Sequence, residues 1–283
     1  MKTTDFIKSP LNYVGGKYKL LPQIIPLIPK DISCFVDLFG GGFNVGINVD
    51  CVHIIYNDIS SQVVDLLKHF YENSPQFVDE QIQKMTSLYN LSRTDTKNNF
   101  SEEYIKTQYM RLRDDYSKDP DWTRFYTLVT CAFSNQIRFN SKGEFNMSYG
   151  KRYYNASLQE KLRIFVEKMQ EKDIQFLNHD FREYDFSTDD FLYCDPPYYN
   201  SRATYNENNG WNLKDEEELL QFLDEIDGKG GRFALSNNLK YNNSLLDKWK
   251  DKYAVHFLES DYSNCNYHKK DKSKDTEILI VNY

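Results

Sequence analysis

The chain is short of the features that would make several functions easy to assign. Its five cysteines, Cys34, Cys51, Cys131, Cys194 and Cys265, lie far apart and form no CxxC pair. That spacing suggests neither a zinc site nor a disulfide framework, so no metal is expected. Reduced thiols point to a cytoplasmic protein. No apolar run reaches membrane-spanning length, and the opening MKTTDFIKSPLNYVGGK lacks the apolar stretch of a signal peptide. Positive charge is also in deficit: a formal net charge of -7 argues against a protein that coats nucleic acid nonspecifically.

What is present fits a folded globular protein. Hydrophobic residues make up 40% and aromatics 16% of 283 residues, enough for a sizeable core and for either one large domain or a core domain carrying an insertion. Short apolar segments at 34–39, 52–56, 191–194 and 232–235 read as buried strands, with two more at 255–258 and 278–281. Helical patterns at 62–71 and 215–226 lie between and after them, the second with an acidic first turn that suits the helix dipole. The alternation predicts an open, largely parallel α/β sheet with its ligands beyond the carboxyl ends of the strands. The polar, helix-patterned stretch from about 76 to 171 interrupts it and reads as an inserted lobe. Within that stretch, residues 137–140 and 145–147 flank Ser141-Lys142-Gly143-Glu144, which predicts a β-hairpin. From Arg138 to Arg163 the sequence holds Arg138, Lys142, Lys151, Arg152, Lys161 and Arg163 against Glu144 and Glu160, so an acidic protein can still carry a local basic face. The polar stretch 268–274 reads as an exposed loop.

Asp195-Pro196-Pro197-Tyr198 follows the third apolar segment. It sets a carboxylate, a stiffened backbone and an aromatic ring at a strand end. Such a set can grip a flat, amino-bearing ring: the carboxylate accepts one amino hydrogen, a proline-fixed carbonyl accepts the other, and the tyrosine stacks on the face. Two prolines ending a strand are the plainer explanation, but this string should arise by chance in a chain this long only about once in a thousand sequences.

Asp37-Leu38-Phe39-Gly40-Gly41-Gly42 is a strand running into a glycine turn, and Asn57-Asp58 closes the next strand about 20 residues on. An acid there can accept from both hydroxyls of a ribose. A typical phosphate-binding turn has its glycines spaced G-x-G-x-x-G, whereas here they are consecutive and position 45 is Val45. A nucleoside bearing a sulfonium, S-adenosylmethionine, suits this turn better than a dinucleotide. Tyr13-Val14-Gly15-Gly16-Lys17 adds an aromatic and a cation around glycines, able to close over such a cofactor and pair with its carboxylate.

These segments, together with Asn178-His179-Asp180-Phe181, come in an order that resembles the Dam-like (D12 class) DNA adenine-N6 methyltransferases. The resemblance extends to residues 138–146, to Tyr149-Gly150-Lys151, to Leu235-Ser236-Asn237 and to the ending 277–283. It departs at Tyr13, where the family usually has Trp, at His179, and in the hairpin entry Phe133-Ser134-Asn135-Gln136-Ile137-Arg138. What it implies is a Rossmann-like, seven-stranded, mostly parallel methyltransferase sheet in two parts, 1–60 and 176–283. A mainly helical target-recognition domain bearing the hairpin, 61–175, would be inserted between them.

By the same resemblance, Tyr13, Gly15, Lys17, Asp37, Phe39, Gly40, Gly42, Asp58 and Asp195 would hold S-adenosylmethionine, with Asp180 and Phe181 beside its adenine. Asp195, Pro196, Pro197 and Tyr198 would grip a target adenine turned out of double-stranded DNA. Phe133, Asn135, Arg138, Asn140, Lys142, Lys151 and Arg152 would meet the DNA, with Arg138 on a guanine edge and Phe133 wedged into the stack. The family's usual setting is restriction-modification, beside a cognate endonuclease without a stable complex, and GA-containing sites are common in it.

Other readings stay open at this stage. A cytosine-N4 or RNA methyltransferase would use the same grip, although Asp at its first position favours adenine. A nicotinamide dehydrogenase would explain the glycine turn but not Asp195 to Tyr198. An inactive DNA-binding relative would share the fold, yet every expected catalytic position here is filled.

Overall fold

The structure is a computed structural model that describes residues 2–13, 15–91, 100–200, 210–259 and 276–283. Cys265 and the loop expected at 268–274 lie outside the described residues. The chain divides into two compact units. One comprises residues 1–6, 17–59 and 172–283, the other residues 7–16 and 60–171.

The first unit is built on a seven-stranded sheet. Its strands are β1 (Cys34–Asp37), β2 (His53–Asn57), β3 (Asp173–Leu177), β4 (Asp190–Cys194), β5 (Arg232–Asn238), β6 (Ala254–Leu258) and β7 (Glu277–Val281), in the spatial order β3-β2-β1-β4-β5-β7-β6. All neighbours run parallel except β7, which is antiparallel to both β5 and β6. The mostly parallel expectation therefore holds. β1 and β4 sit centrally and are apolar almost throughout, as strands covered on both faces must be. β3 is a strand that the apolar pattern does not reveal. It lies at the sheet edge with a mixed burial pattern, so its residues need not be hydrophobic to pair.

The α-helices among the described residues are α1 (Leu21–Ile24), α2 (Ser61–Glu72), α3 (Pro75–Leu88), α4 (Glu102–Lys118), α5 (Trp122–Cys131), α6 (Ala156–Gln170), α7 (Leu213–Gly228) and α8 (Ser244–Trp249). In the sheet unit, Leu219, Leu220, Leu223 and Ile226 of α7 and Leu246 and Trp249 of α8 pack on Val36, Leu192, Phe233 and Ile278 to close one face of the sheet. α7 opens on a capping box in which Asn212 accepts from the Asp215 amide and Asp215 accepts from the Asn212 amide.

Helices α2 to α6 make up most of the second unit and pack through Phe70, Val78, Ile82, Tyr109, Leu112, Phe125, Tyr126, Phe165 and Met169, all buried. The segment between α5 and α6 holds the expected hairpin only in reduced form. Its pairing consists of single bridges, Phe139 to Phe145 and Ala132 to Tyr149, rather than two strands. The turn is set by side chains: Asn140 accepts from the Lys142 and Glu144 amides, and Gly143 takes a φ of 76°. Among the described residues, no helix is long and apolar enough to cross a membrane.

Candidate active site

The carboxyl ends of β1, β2, β4 and β5 bring the chemistry-bearing residues of the sheet unit together. β1 ends at Asp37, whose buried carboxylate accepts from the Gly46 amide at 3.0 Å. Burial pushes the Asp37 carboxyl up to about 7, with Asp195 and Asp58 adding to the rise. Gly46 has no room for a side chain, since a Cβ there would meet the Phe43 ring at 2.4 Å. The close-packing glycine that looks missing at position 45 is thus supplied one residue later. Its signal in the sequence is only a fourth glycine after the run of three.

Gly40 has its own reason to be glycine: a Cβ would lie 2.2 Å from the Tyr56 ring. Tyr56 in turn donates its hydroxyl to the Gly41 carbonyl at 2.8 Å. At the end of β2, Asp58 accepts from the Gly41 amide at 2.8 Å, so the glycine turn and the expected ribose acid are joined directly. Buried Asn57 ties three strand ends, donating to the Leu38 and His179 carbonyls and accepting from the His179 amide. Gly42 belongs to the same turn, just ahead of Phe43, which takes a φ of 58° and buries its ring against Tyr56.

Beside this turn, Phe39, Phe181 and Trp211 form an aromatic cluster with centroids 5.6 to 5.7 Å apart. The Arg182 guanidinium lies over Phe181 at 4.5 Å and also holds both oxygens of Asp180. Trp211 donates to the buried Glu216 carboxylate at 2.6 Å, and Asn243 binds the other oxygen. Neither Trp211 nor Glu216 stands out in the sequence as a site residue: Trp211 lies in a polar, unpatterned stretch, and Glu216 reads only as part of the acidic first turn of α7.

Asp195 follows β4. Both of its oxygens hold the Lys17 ammonium, at 2.6 and 2.8 Å, and Lys17 is only 4% exposed against 20% for Asp195. Burial pushes the Asp195 carboxyl above its ordinary value, with Lys17 pulling the other way and Glu277 adding to the rise. Pro196 and Pro197 separate it from Tyr198, whose hydroxyl donates to Glu277 at 2.9 Å and lies 3.4 Å from Asp195. Asn238, the last residue of β5, donates to the other Glu277 oxygen at 2.9 Å. The Tyr198 ring has the Lys17 ammonium 5.1 Å from its centroid and the Tyr241 ring at 5.9 Å. Burial raises the Tyr198 phenol well above its ordinary value, so it keeps its proton and acts as a donor. Glu277 and Asn238 reach the tetrapeptide through the register of β5 and β7, and Tyr241 through the short turn that follows β5, so local spacing marks none of them as a site residue.

Tyr13 and Gly15 belong to the helical unit, where the Gly16 amide donates to the Tyr13 carbonyl and Gly15 takes a φ of 80°. In the same unit the ring of Phe133 is 58% exposed and its amide donates to the Ser148 carbonyl. Gly150 lies under it, where a Cβ would meet the Ala132 carbonyl oxygen at 2.3 Å. Asn135 donates to the Val129 and Thr130 carbonyls and so closes the end of α5. Arg138 is braced on the side-chain oxygen of Asn146 at 2.8 Å. Asn140 donates to Glu144, so its side chain is committed to the turn. Lys142 and Arg152 are exposed, and exposed Lys151 pairs with Glu102 at 2.7 Å. A cleft of about 310 Å³ opens here, lined among others by Asn135, Lys151, Arg152, Asn155 and Lys161. Burial, with a smaller contribution from the neighbouring Lys8, lowers the Lys161 pKa.

An open sheet with one reversed strand, a glycine turn joined to an acid, and a carboxylate-proline-proline-tyrosine corner occur together in this chain. In comparison with known proteins, a family model for D12 class N6 adenine-specific DNA methyltransferases matches residues 13–272, and the chain belongs to that family. It is similar to the type II methyltransferase M.FokI of Planomicrobium okeanokoites, 41% identical over 294 residues that cover 100% of this chain and 44% of the relative. The modification methylase StsI of Streptococcus sanguinis is 36% identical over 99% of the chain and 44% of its own length. The DNA adenine methylase of Escherichia coli (strain K12) is 26% identical over 88% of this chain and 86% of its own. The chain thus spans under half the length of the first two relatives.

Proposed function

We propose that the chain transfers a methyl group from S-adenosylmethionine to N6 of an adenine turned out of double-stranded DNA. The observation that carries this reading is the Lys17–Asp195–Tyr198–Glu277 cluster at the carboxyl end of β4. It supplies a carboxylate acceptor and an aromatic face, side by side and held in place, behind a proline-fixed backbone.

The donor set fits the proposed cofactor. At the glycine turn stands Asp58, and at the corner after β4 stand Asp195 and Glu277 against the ammonium of Lys17. An acid-rich site of this kind favours a cationic sulfonium over the phosphates of a dinucleotide. Lys17 would pair with the cofactor's carboxylate and Asp58 with its ribose hydroxyls, while Tyr13, Gly15, Asp37, Phe39, Gly40, Gly42, Asp180 and Phe181 would complete its surroundings. When bound, the cofactor supplies an electrophilic methyl group.

The chain's own residues prepare the nucleophile. The adenine amino group is weakly nucleophilic because its lone pair is conjugated into the ring. Asp195 accepts one N6 hydrogen and the Pro196 carbonyl accepts the other, which draws the lone pair out of conjugation and stabilises the positive charge that develops on N6. Tyr198 stacks on the base, and Pro197 limits where its ring can go.

The segment from Phe133 to Arg152 reads the surrounding DNA. Arg138, braced by Asn146, presents a guanidinium suited to a guanine edge, and a GA-containing site is the one we propose because such sites are common in the family. Lys142, Lys151 and Arg152 meet phosphates, and exposed Phe133 fills the stack left by the flipped base. Asn135 and Asn140 support the loop. The names of M.FokI, a type II methyltransferase, and StsI, a modification methylase, favour a role in restriction-modification; the widely spaced cysteines suit a cytoplasmic setting, and the cognate endonuclease is taken as a separate protein.

Incubation with tritiated S-adenosylmethionine and DNA of mixed sequence, followed by nucleoside analysis, tests the reading. Label in N6-methyladenine is expected. Label in N4-methylcytosine, or none in DNA, would overturn it.

A further inference from the structure

We infer that Glu277 is a positioning residue for methyl transfer: clamped by Asn238, it holds the Tyr198 hydroxyl and thereby fixes the ring on which the target base stacks. This rests on the adenine-N6 reading above and adds a residue to it.

The first observation is the cost of the group. Glu277 is 4% exposed, and it is the first residue of a strand whose other members, Ile278, Leu279, Ile280 and Val281, are all apolar and buried. A carboxylate in such a place is expensive to desolvate, and an apolar residue would complete the strand at lower cost. Its two oxygens are met by two neutral donors, Asn238 Nδ2 and the Tyr198 hydroxyl, each at 2.9 Å. Folding alone gives no reason for a charge here, whereas an acceptor that must grip a phenol does.

The second observation is where the grip falls. Asn238 stands directly opposite Glu277 in the β5–β7 register, so the carboxylate is fixed by the sheet itself. Tyr198 is tethered to the backbone beside Pro197 and at its far end to Glu277, which removes rotation of the ring about both side-chain torsions. The hydroxyl also lies 3.4 Å from Asp195, whose oxygens are held by Lys17. Base-stacking ring and hydrogen-accepting carboxylate are therefore parts of one network. Preorganisation of this kind speeds the chemical step more than it tightens binding.

Single-turnover methylation of a duplex carrying the site that the wild-type chain methylates tests the inference, using Glu277→Gln, Tyr198→Phe and the double variant. Each single variant should slow transfer roughly tenfold to thirtyfold, with DNA affinity within about twofold of wild type. The double should be no more than about threefold slower than the slower single, because Glu277→Gln leaves one acceptor oxygen for two donors and so weakens the tether that Tyr198→Phe removes. A second readout is the emission of 2-aminopurine at the target position, which falls when the flipped base stacks on tyrosine. Glu277→Gln should leave it brighter than wild type at equal saturation. Rates within about twofold of wild type, multiplicative effects in the double, or unchanged emission would overturn the inference. Absence of N6-methyladenine from the wild-type reaction would instead overturn the reading on which it rests.

Discussion

In the sheet unit, Lys17, Asp195, Tyr198, Glu277 and Asn238 come from widely separated stretches of chain and are joined into one hydrogen-bonded series. In the helical unit, Phe133, Lys142, Lys151 and Arg152 stand exposed on a segment paired only by single bridges. The two arrangements suit different tasks. A reaction centre gains from charges held in a dry, preset geometry, where electrostatic effects are large and nothing has to reorganise. A surface that meets DNA gains from exposed cations on a loop, which pay little desolvation and can adjust to the duplex. The helical unit is not loose throughout, since Asn135, Asn140 and Asn146 brace its loop by side-chain hydrogen bonds.

The harshest way to break the contrast is Asp195→Ala. Methyl transfer should fall by at least about a thousandfold in a single-turnover assay. Because the substitution also takes the carboxylate from buried Lys17, stability should drop by about 3–5 kcal/mol. The double variant Lys17→Met/Asp195→Ala should regain much of that stability while staying inactive. Substantial turnover in either variant would remove Asp195 from the chemistry.

A smaller effect separates buried from exposed charge. The Asp37 carboxyl is raised from 3.8 to about 7, so the folded protein favours the neutral acid. Its contribution to stability is therefore greatest below its unfolded value and is lost as pH rises through the folded one. Asp37→Asn carries no charge at any pH and should remove this slope. The stability of the variant relative to wild type should rise by on the order of 2–4 kcal/mol from acid to neutral pH, read by denaturant titration. Parallel pH profiles would show that Asp37 titrates normally.

The mildest change falls on the segment proposed to meet DNA. Arg138→Ala should cost about 1–3 kcal/mol of discrimination at one base pair, seen by competition between duplexes, with fold stability changed by only about 0.5 kcal/mol. A uniform loss across all sequences would make Arg138 a phosphate contact instead.

Part of this protein is legible in its residues alone. The central strands announce themselves because a strand covered on both faces must be apolar, and β1 and β4 are. The corner from Asp195 to Tyr198 and the turn after Asp37 are also legible, since each packs its chemistry into a few consecutive residues. β3 is not, because an edge strand can be polar. The hairpin is legible only as a turn: its glycine and asparagine set the reversal, but the flanking residues do not extend the pairing into strands.

What the sequence by itself determined, then, is the kind of group placed at each strand end: a carboxylate, glycines that admit a close neighbour, a ring behind two prolines. Only the tertiary structure decided how those groups are held. Glu277 stands 79 residues from Tyr198 and meets it because β7 runs antiparallel beside β5, opposite Asn238. Lys17 reaches Asp195 across 178 residues. Local spacing carries no trace of such partners, because their meeting depends on sheet order and register, which hydrophobic burial over the whole unit selects.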